Sequence, residues 1–160
     1  MDKARLRERL LERLESDLEL ARRAAQTAYE AATHEENIAE NKYDTLGLEA
    51  SYLAAGQSRR VEEIHQALAA WRQLPLQPYA APRGITLGTL VQLADDDGDE
   101  QWLLLGPDGA GLKLSDGQRD VLVITARSPL GAALLGQHEG DEFEREIAGR
   151  KRRFEILAAF

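Results

Sequence analysis

The sequence contains two apolar heptad runs of equal length, separated by a short polar segment. The first steps alternately by three and four residues through Leu11, Leu14, Leu18, Ala21, Ala25, Ala28 and Ala32. The second steps in the same way, with one polar lapse, through Ala50, Ala54, Gln57, Val61, Ile64, Leu68 and Trp71. Such a sustained repeat is typical of a coiled-coil seam. Two seams of about 32 Å each on one chain predict a monomeric antiparallel hairpin over residues 1–74.

The turn of this hairpin is predicted within Thr33–Glu49, because the two seams are symmetric about residue 41. This segment is acidic, and Glu36, Glu40 and Asp44 are spaced i, i+4 and i+8. On a continuous helix these carboxylates would share one face, and around a turn they could converge. A hard cation such as Mg²⁺ is satisfied by one or two carboxylates plus other oxygen ligands. Two interpretations stay open at this point, a metal-assisting tip and an ordinary solvated acidic turn.

Composition restricts the class of protein. The net charge of −8 over 160 residues argues against broad nucleic-acid binding, which normally needs a basic surface. The absence of cysteine excludes a disulfide scaffold and any thiolate metal site. No apolar stretch reaches the roughly 18 residues of a membrane span, and the charged start of the chain lacks the apolar core of a signal peptide. We therefore expect a cytoplasmic protein with no membrane partner.

The second half of the chain changes character after a proline-containing linker at residues 75–84. Alternating or strongly apolar segments predict strands at Ile85–Leu93, Gln101–Leu105, Val121–Thr125, Asp141–Ile147 and Arg152–Leu157. The last two are predicted to form a hairpin that turns near Ala148-Gly149. A single short helix is expected after Val121–Thr125. The overall expectation is an α+β chain whose second domain, residues 85–160, is a small, mostly antiparallel sheet with one helix.

The start of that helix has a clear signal. Ser128 supplies an N-cap oxygen, and Pro129 stands at the first helical position, where its missing N–H costs nothing. Leu130 and Leu134 lie one turn apart on an apolar face, and Gly136 suits the C-terminal end.

Residues 128–136, Ser-Pro-Leu-Gly-Ala-Ala-Leu-Leu-Gly, followed by Gly140-Asp141-Glu142, resemble the C-terminal signature of the Gre family of bacterial transcript-cleavage factors. The resemblance implies an N-terminal coiled-coil hairpin and an FKBP-like C-terminal domain. It also implies that the globular domain docks on RNA polymerase while the rod enters its secondary channel, which would associate the chain with the nucleoid. The partner-binding residues that it implies are Ser128, Pro129, Leu130, Gly131 and Leu134.

The resemblance extends to the tip with a departure. The family tip reads like Gly-Asp-Leu-Ser-Glu-Asn-Ala-Glu-Tyr, and residues 36–43 here read Glu-Asn-Ile-Ala-Glu-Asn-Lys-Tyr. Glu40 matches an acidic residue of the family whether the alignment is anchored on the first or the second helix, whereas Glu36 and Asp44 are alternative partners for it. The resemblance implies that these carboxylates help to hold Mg²⁺ at the polymerase active site. The protein would then have no catalytic residue, metal or cofactor of its own, and both transcript cleavage and inhibition stay open.

A second hypothesis comes from a different functional class. The FKBP-like domain could be a peptide-binding or prolyl-isomerase module, with the coiled coil as an interaction rod. Such pockets need a wall of aromatic side chains, and this domain offers only Trp102, Phe143, Phe154 and Phe160. We therefore favour the polymerase-binding hypothesis.

Two further charged groups have alternative interpretations. Arg22 and Arg23 lie at nearly the same height of the hairpin as Arg59 and Arg60, so they could form a basic band that contacts the nascent RNA or a channel wall. The simpler interpretation is pairing with glutamates across the two helices. The acidic segment 95–99 lacks the downstream glutamate of a calcium loop, so we expect a solvated turn between strands.

Overall fold

The computed structural model describes residues 2–34 and 46–160. Its elements in chain order are α1 (Lys3–Thr33), α2 (Leu46–Gln73), β1 (Leu90–Asp95), β2 (Glu100–Gly106), β3 (Lys113–Ser115), β4 (Asp120–Thr125), α3 (Pro129–Leu134), β5 (Glu142–Ile147) and β6 (Arg150–Ala159). This order confirms the α+β class, with two long helices followed by a sheet and one short helix. None of the described helices is both long and apolar enough to cross a membrane.

The chain divides into two compact units. One contains Glu12–Ala69, which is most of the two long helices, and the other joins Met1–Leu11 to Ala70–Phe160. The outermost turns of α1 and α2 therefore belong to the unit that carries the sheet. The domain boundary predicted at residues 75–84 stays a prediction, although that segment is free of helix and strand.

Within Glu12–Ala69 the predicted seam is largely confirmed. On α1 the side chains of Leu14, Leu18, Ala21 and Ala28 are buried, and on α2 those of Ile64 and Leu68 are buried. The helix is solvated elsewhere, as the dense Glu and Arg pattern predicts.

The first position of the predicted seam is wrong. Leu11 is only half-buried, whereas Leu6 and Leu10 are 1% and 0% exposed. From Leu6 to Leu18 the buried leucines step by four, which follows the 3.6-residue period of one helix face more closely than a heptad does. This stretch lies in the unit that carries the sheet, so its burial does not follow the coiled-coil repeat.

The sheet has six strands in the order β3-β4-β2-β1-β6-β5. All neighbouring pairs are antiparallel except β2 and β4, which run parallel with Trp102 opposite Val121 and Leu105 opposite Ile124. The mostly antiparallel sheet is thus confirmed, and the parallel pair adds a crossover that includes β3. The sequence did not predict β3, because three residues with one buried side chain, Leu114, give no alternating pattern.

The strand bounds differ most at β1. The apolar alternation of Ile85–Leu93 predicts a strand from Ile85, but β1 begins at Leu90. A turn precedes it, in which the Thr86 N–H donates to Thr89 Oγ1 at 3.1 Å and the Thr89 N–H donates to the Thr86 carbonyl at 3.1 Å. Gly88 in this turn has a φ of +90°, which is incompatible with a strand and suited to glycine.

The closing hairpin agrees with the prediction. Ile147 pairs with Arg150, and the two residues between them, Ala148 and Gly149, have φ values of +52° and +77°. Positive φ at both central positions is the type I′ geometry that matches the twist of the flanking strands.

One face of the sheet packs against α3. The buried core on this side contains residues from five strands and the helix, namely Ile85, Val91, Leu93, Leu103, Leu105, Ile124, Leu134, Phe154, Ile156 and Ala159. This core fixes α3 on the sheet and so determines which side of α3 remains exposed.

The seam of the hairpin predicts uneven stability along α1. Leucines bury more apolar area than alanines, so opening of the helix should cost less free energy at Ala25–Ala32 than at Leu14–Leu18. Native-state hydrogen exchange should therefore be at least 10-fold faster for the amides of Ala25–Ala32. Equal protection along the whole helix would contradict this expectation.

Candidate functional site

The start of α3 is built as the sequence predicts. Ser128 has extended backbone angles, with φ −80° and ψ 151°, and Pro129 follows at the first position of the helix. The Ser128 Oγ accepts from the Gly131 N–H at 3.0 Å and donates to the Thr125 carbonyl at 3.0 Å. The predicted N-cap is confirmed, and the same hydroxyl ties the helix to the end of β4.

Gly131 is required by the closeness of α3 to β4. A Cβ atom at this position would lie 1.9 Å from the Thr125 carbonyl oxygen and 3.0 Å from Ser128 Oγ. Real Cβ contacts do not approach so closely, so no other residue fits without moving the backbone. The glycine of the signature therefore allows the helix to pack directly on backbone.

The end of α3 is fixed to the segment before β1. The Gly136 N–H donates to the Ile85 carbonyl at 2.8 Å, and the Ile85 N–H donates to the Gln137 carbonyl at 2.8 Å. Gly136 has a φ of +79° directly after the helix, which is the usual role of glycine at a helix C-terminus. Both ends of this six-residue helix are thus held by hydrogen bonds to other elements.

Most predicted partner-binding residues face the interior. Leu134 is fully buried, Gly131 is buried, Leu130 packs partly buried against the core, and Ser128 is half-buried. Of the predicted set only Pro129 is exposed. Their role in partner binding stays a prediction, and their structural role is to build and seat the helix.

The solvent side of α3 presents other residues. Ala132 is exposed next to Pro129, and Leu135 at the end of the helix retains 39% of its accessible surface. The sequence analysis omitted Ala132 and Leu135, because it followed the apolar face of Leu130 and Leu134. The helical period was the available signal, since Pro129, Ala132 and Leu135 are spaced i, i+3 and i+6. We call these three residues the outer face of α3.

The acidic tip residues Glu36, Glu40 and Asp44 lie outside the described residues. Their predicted convergence and their metal-assisting role stay predictions.

The arginines of the hairpin do not pair as expected. Arg23 pairs with Glu19 at 3.1 Å and Arg60 with Glu63 at 3.7 Å, each along its own helix. The contact between the helices joins an Arg22 guanidinium nitrogen to the His65 Nε2 atom at 3.1 Å. The expected pairing with glutamates across the helices is therefore wrong for these three arginines. The i, i+4 and i, i+3 spacings supply a partner without ordering a second helix.

Arg22 and Arg23 also line an open groove of about 740 Å³ on the hairpin. Its other walls include Ala25, Tyr29 and Val61, and the Tyr29 side chain is 59% exposed. Guanidinium groups beside an exposed aromatic ring suit a nucleic-acid strand, through phosphate contacts and base stacking. The basic band is thus present at Arg22 and Arg23 despite the acidic net charge.

The acidic segment before β2 forms the expected turn. Asp95 Oδ1 accepts from the Asp97 N–H at 2.9 Å and from the Asp99 N–H at 3.0 Å. The carboxylates of Asp95, Asp97 and Asp99 come within 4.8 Å of one another. Arg152 supplies a cation to this cluster, since its guanidinium lies 2.5 Å from Asp95 Oδ2 and 3.9 Å from Asp97 Oδ2. The cluster is therefore neutralised by an arginine of β6.

The aromatic side chains of the sheet form two pairs. Phe143 and Phe154 stack with ring centroids 5.4 Å apart and belong to the core on the α3 side. Trp102 and Phe160 lie 5.9 Å apart, and the Arg119 guanidinium covers the Trp102 ring at 4.6 Å. Because the first pair is used in the core, it cannot line a peptide pocket.

The comparisons with known proteins agree with this architecture. The family described as transcription elongation factor GreA/GreB, C-terminal, matches residues 81–159. The transcription elongation factor GreA of Desulfovibrio desulfuricans is 31% identical over 133 residues, covering 81% of this chain and 75% of that protein. The chain belongs to the GreA/GreB family. GreA of Xanthomonas campestris is similar over more of the chain, with 27% identity over 154 residues, 94% of this chain and 90% of that protein.

Other GreA/GreB relatives match over a shorter part. The chain spans 59% of GreA from Polaromonas naphthalenivorans, at 30% identity over 100 residues, and 42% to 59% of the length of four such relatives. Among solved structures, GreA factor homolog 1 (Gfh1) of Thermus thermophilus is 26% identical and covers 94% of each chain, with a TM-score of 0.40. Because this TM-score is below 0.5, the family membership rests on the sequence matches.

Gly131→Ala should destabilise the protein, because the added methyl group must displace the Thr125 carbonyl. Overpacking of this kind costs about 1–3 kcal/mol. Urea unfolding should show that loss, whereas Ala132→Ser on the exposed side of α3 should stay within about 0.5 kcal/mol of the unmodified protein. Equal stability of the two variants would contradict the close packing.

The turn between β3 and β4 should respond to acid. The Asp116 carboxylate accepts from the Gln118 N–H at 2.9 Å and the Arg119 N–H at 2.8 Å, and these backbone hydrogen bonds lower the pKa of Asp116 from its ordinary value of 3.8. A lowered folded-state pKa stabilises the turn above the unfolded value, and the contribution is lost as pH falls through the folded value.

An NMR titration tests this directly. The amide resonances of Gln118 and Arg119 should shift with a midpoint below pH 3.8, and Asp116→Asn should abolish that titration. A midpoint at or above 3.8 would show that the hydrogen bonds do not favour the ionised form.

Proposed function

We propose that this GreA/GreB protein binds RNA polymerase and modulates transcript elongation from the polymerase secondary channel. The observation that carries the proposal is the match of residues 81–159 to the family's C-terminal part, which contains the fully formed α3. The relatives that the chain resembles over most of its length are transcription elongation factors. The sheet would supply docking, and the hairpin would supply reach.

The outer face of α3 is the proposed centre of docking. Pro129, Ala132 and Leu135 present small and apolar surface on a helix whose two ends are fixed. Such a surface loses no conformational freedom on binding, and apolar groups at the centre of an interface contribute most to affinity. The buried residues of the same signature would contribute by holding this face in position.

The tip is proposed to act on chemistry that its partner performs. Glu40, with Glu36 or Asp44, would add one or two carboxylates to a Mg²⁺ ion shared with the polymerase active site. Mg²⁺ accepts few protein carboxylates and keeps other oxygens in its shell, so an incoming tip can complete a site without owning it. The protein would therefore perform no reaction alone.

The groove beside Arg22, Arg23 and Tyr29 fits the same placement. A hairpin inside a transcribing polymerase would bring this basic and aromatic surface near nascent RNA. Contact there would add affinity that weakens as salt is raised.

Docking can be tested by inverting the polarity of the outer face of α3. Leu135→Asp places a charge where we expect apolar contact, so the affinity for core RNA polymerase should fall at least 10-fold. The measurement is competition against a fluorescent copy of the unmodified protein. Leu20→Asp is the matched control, since Leu20 is 60% exposed on α1 and should bind within about 2-fold. Equal affinities of the two variants would remove α3 as the docking centre.

The tip can be tested independently of docking. Glu40→Gln keeps the side-chain size and removes a ligand for a hard cation, so it should bind polymerase normally and lose most of its effect on stalled transcription complexes. Glu36→Gln and Asp44→Asn should have smaller effects, and the larger of the two identifies the partner carboxylate. If the triple variant retains the full effect, the hairpin acts by blocking the channel and metal chemistry is not involved.

A further inference from the structure

Trp71 has an unusual position at the end of α2. Its side chain is 0% exposed, although tryptophan is large and seldom completely buried. Its indole N–H donates to the Asp108 carbonyl at 2.8 Å, which satisfies the one polar group of the ring. The acceptor lies in the loop between β2 and β3, 37 residues further along the chain.

That loop is shaped around the indole. A Cβ atom on Gly106 would lie 2.0 Å from Cζ2 and 2.5 Å from Cη2 of Trp71. Gly109 follows the acceptor residue with a φ of +79°, and a Cβ there would lie 3.5 Å from the indole nitrogen. Its own N–H is held by Asp108 Oδ1 at 2.7 Å. The glycines on both sides of Asp108 thus leave space for the ring and aim the carbonyl at it.

Neighbouring contacts hold the same end of the hairpin. The Arg7 guanidinium donates to the Leu74 carbonyl at 2.9 Å, just after α2 ends. Lys3 Nζ donates to the carbonyls of Gln77 at 2.6 Å and Phe160 at 3.0 Å. These residues all belong to the unit that carries the sheet. Lys3 and Arg7 donate through flexible side chains, whereas Trp71 combines a rigid ring with a directional hydrogen bond.

We propose that Trp71 is a positioning residue, which fixes the last turn of α2 in the β2–β3 loop so that the tip of the hairpin reaches its target when α3 is docked. The proposal rests on the proposed function and adds a residue that touches neither the polymerase active site nor the docking face. Its leverage comes from helix length. α2 has 28 residues, or about 42 Å, so a tilt of about 10° at Trp71 moves its far end by about 7 Å. Catalytic groups tolerate displacements of only about 1 Å without large losses in rate.

The contact between Trp71 and Gly106 provides a sharp test. Gly106→Ala forces its methyl group into the space of the benzo ring, and Trp71→Phe removes that ring and the indole N–H. We expect each single variant to bind core RNA polymerase within about 2-fold of the unmodified protein. We expect each to lose at least 10-fold of the tip-dependent effect, defined as the effect that Glu40→Gln abolishes. The double variant should regain activity over Gly106→Ala alone, because the smaller ring leaves room for the methyl group.

The other tryptophan gives both a control and a probe. Trp102→Phe alters the half-buried ring of β2 and should change neither binding nor the tip-dependent effect. In that background Trp71 is the remaining tryptophan, so its fluorescence reports directly whether Gly106→Ala expels the indole into water, through a red shift of the emission. Circular dichroism and urea unfolding show whether each variant is folded.

Three results would overturn the proposal. One is a red-shifted, folded Gly106→Ala variant that keeps the tip-dependent effect within 2-fold. Another is an equal loss of binding and effect, which would give Trp71 a role in docking or stability alone. A third is a folded Trp71→Phe variant with unchanged effect, which decides the matter if Gly106→Ala does not fold. If the unmodified protein fails to bind polymerase, the proposed function falls as well, and this outcome is distinct from the other three.

Discussion

The central strand β2 imposes the main constraint on this fold. Its residues Leu103, Leu104 and Leu105 are consecutive and are 0%, 1% and 0% exposed. Successive side chains of a strand point to opposite faces, so burial of three in a row requires that both faces of the sheet be covered. Burying each leucine contributes about 1.5–3 kcal/mol relative to leaving it exposed. A sheet with only α3 on one side would forfeit part of that free energy.

The compact unit around the sheet meets this constraint. α3 and the segment before β1 cover the face of Leu103 and Leu105, in the core that also contains Leu134. Gly106 continues β2 and contacts Trp71 of α2. The unit therefore needs residues from both ends of the hairpin, which explains why Met1–Leu11 and the chain from Ala70 belong to it. The start of α1 and the end of α2 have a structural role in the sheet as well as in the rod.

The sequence predicted what local periodicity and turn chemistry determine. The heptads located the buried seam from Leu14 onward, Ser128-Pro129 located the start of α3, and Ala148-Gly149 located a type I′ turn. Periodicity could not distinguish Leu10 from Leu11, because burial there depends on the sheet unit. It also extended β1 back to Ile85, since a turn with apolar residues resembles a strand until its hydrogen bonds are known.

The missed features depend on contacts between distant residues. Trp71 was assigned to the last position of a seam, and the glycines at 106 and 109 were assigned to a loop. Each assignment was correct locally, yet their contact joins residues 35 or more positions apart, and no spacing in the sequence reveals it. The signature around α3 was recognised for a similar reason. Residues such as Gly131 are specified by the fold, so they identify the family more directly than they identify the surface that a partner touches.

This distinction separates three physical requirements within one chain. The buried signature residues need exact packing, the outer face of α3 needs only exposed apolar surface, and the tip needs carboxylates delivered at a distance. A protein that contributes ligands to another protein's metal gains its effect from placement, since carboxylates at low effective concentration bind Mg²⁺ weakly. Docking raises that concentration only if the connection between sheet and rod is stiff. A flexible linker would spread the tip over many positions, whereas two helices whose ends are buried in the sheet unit concentrate it.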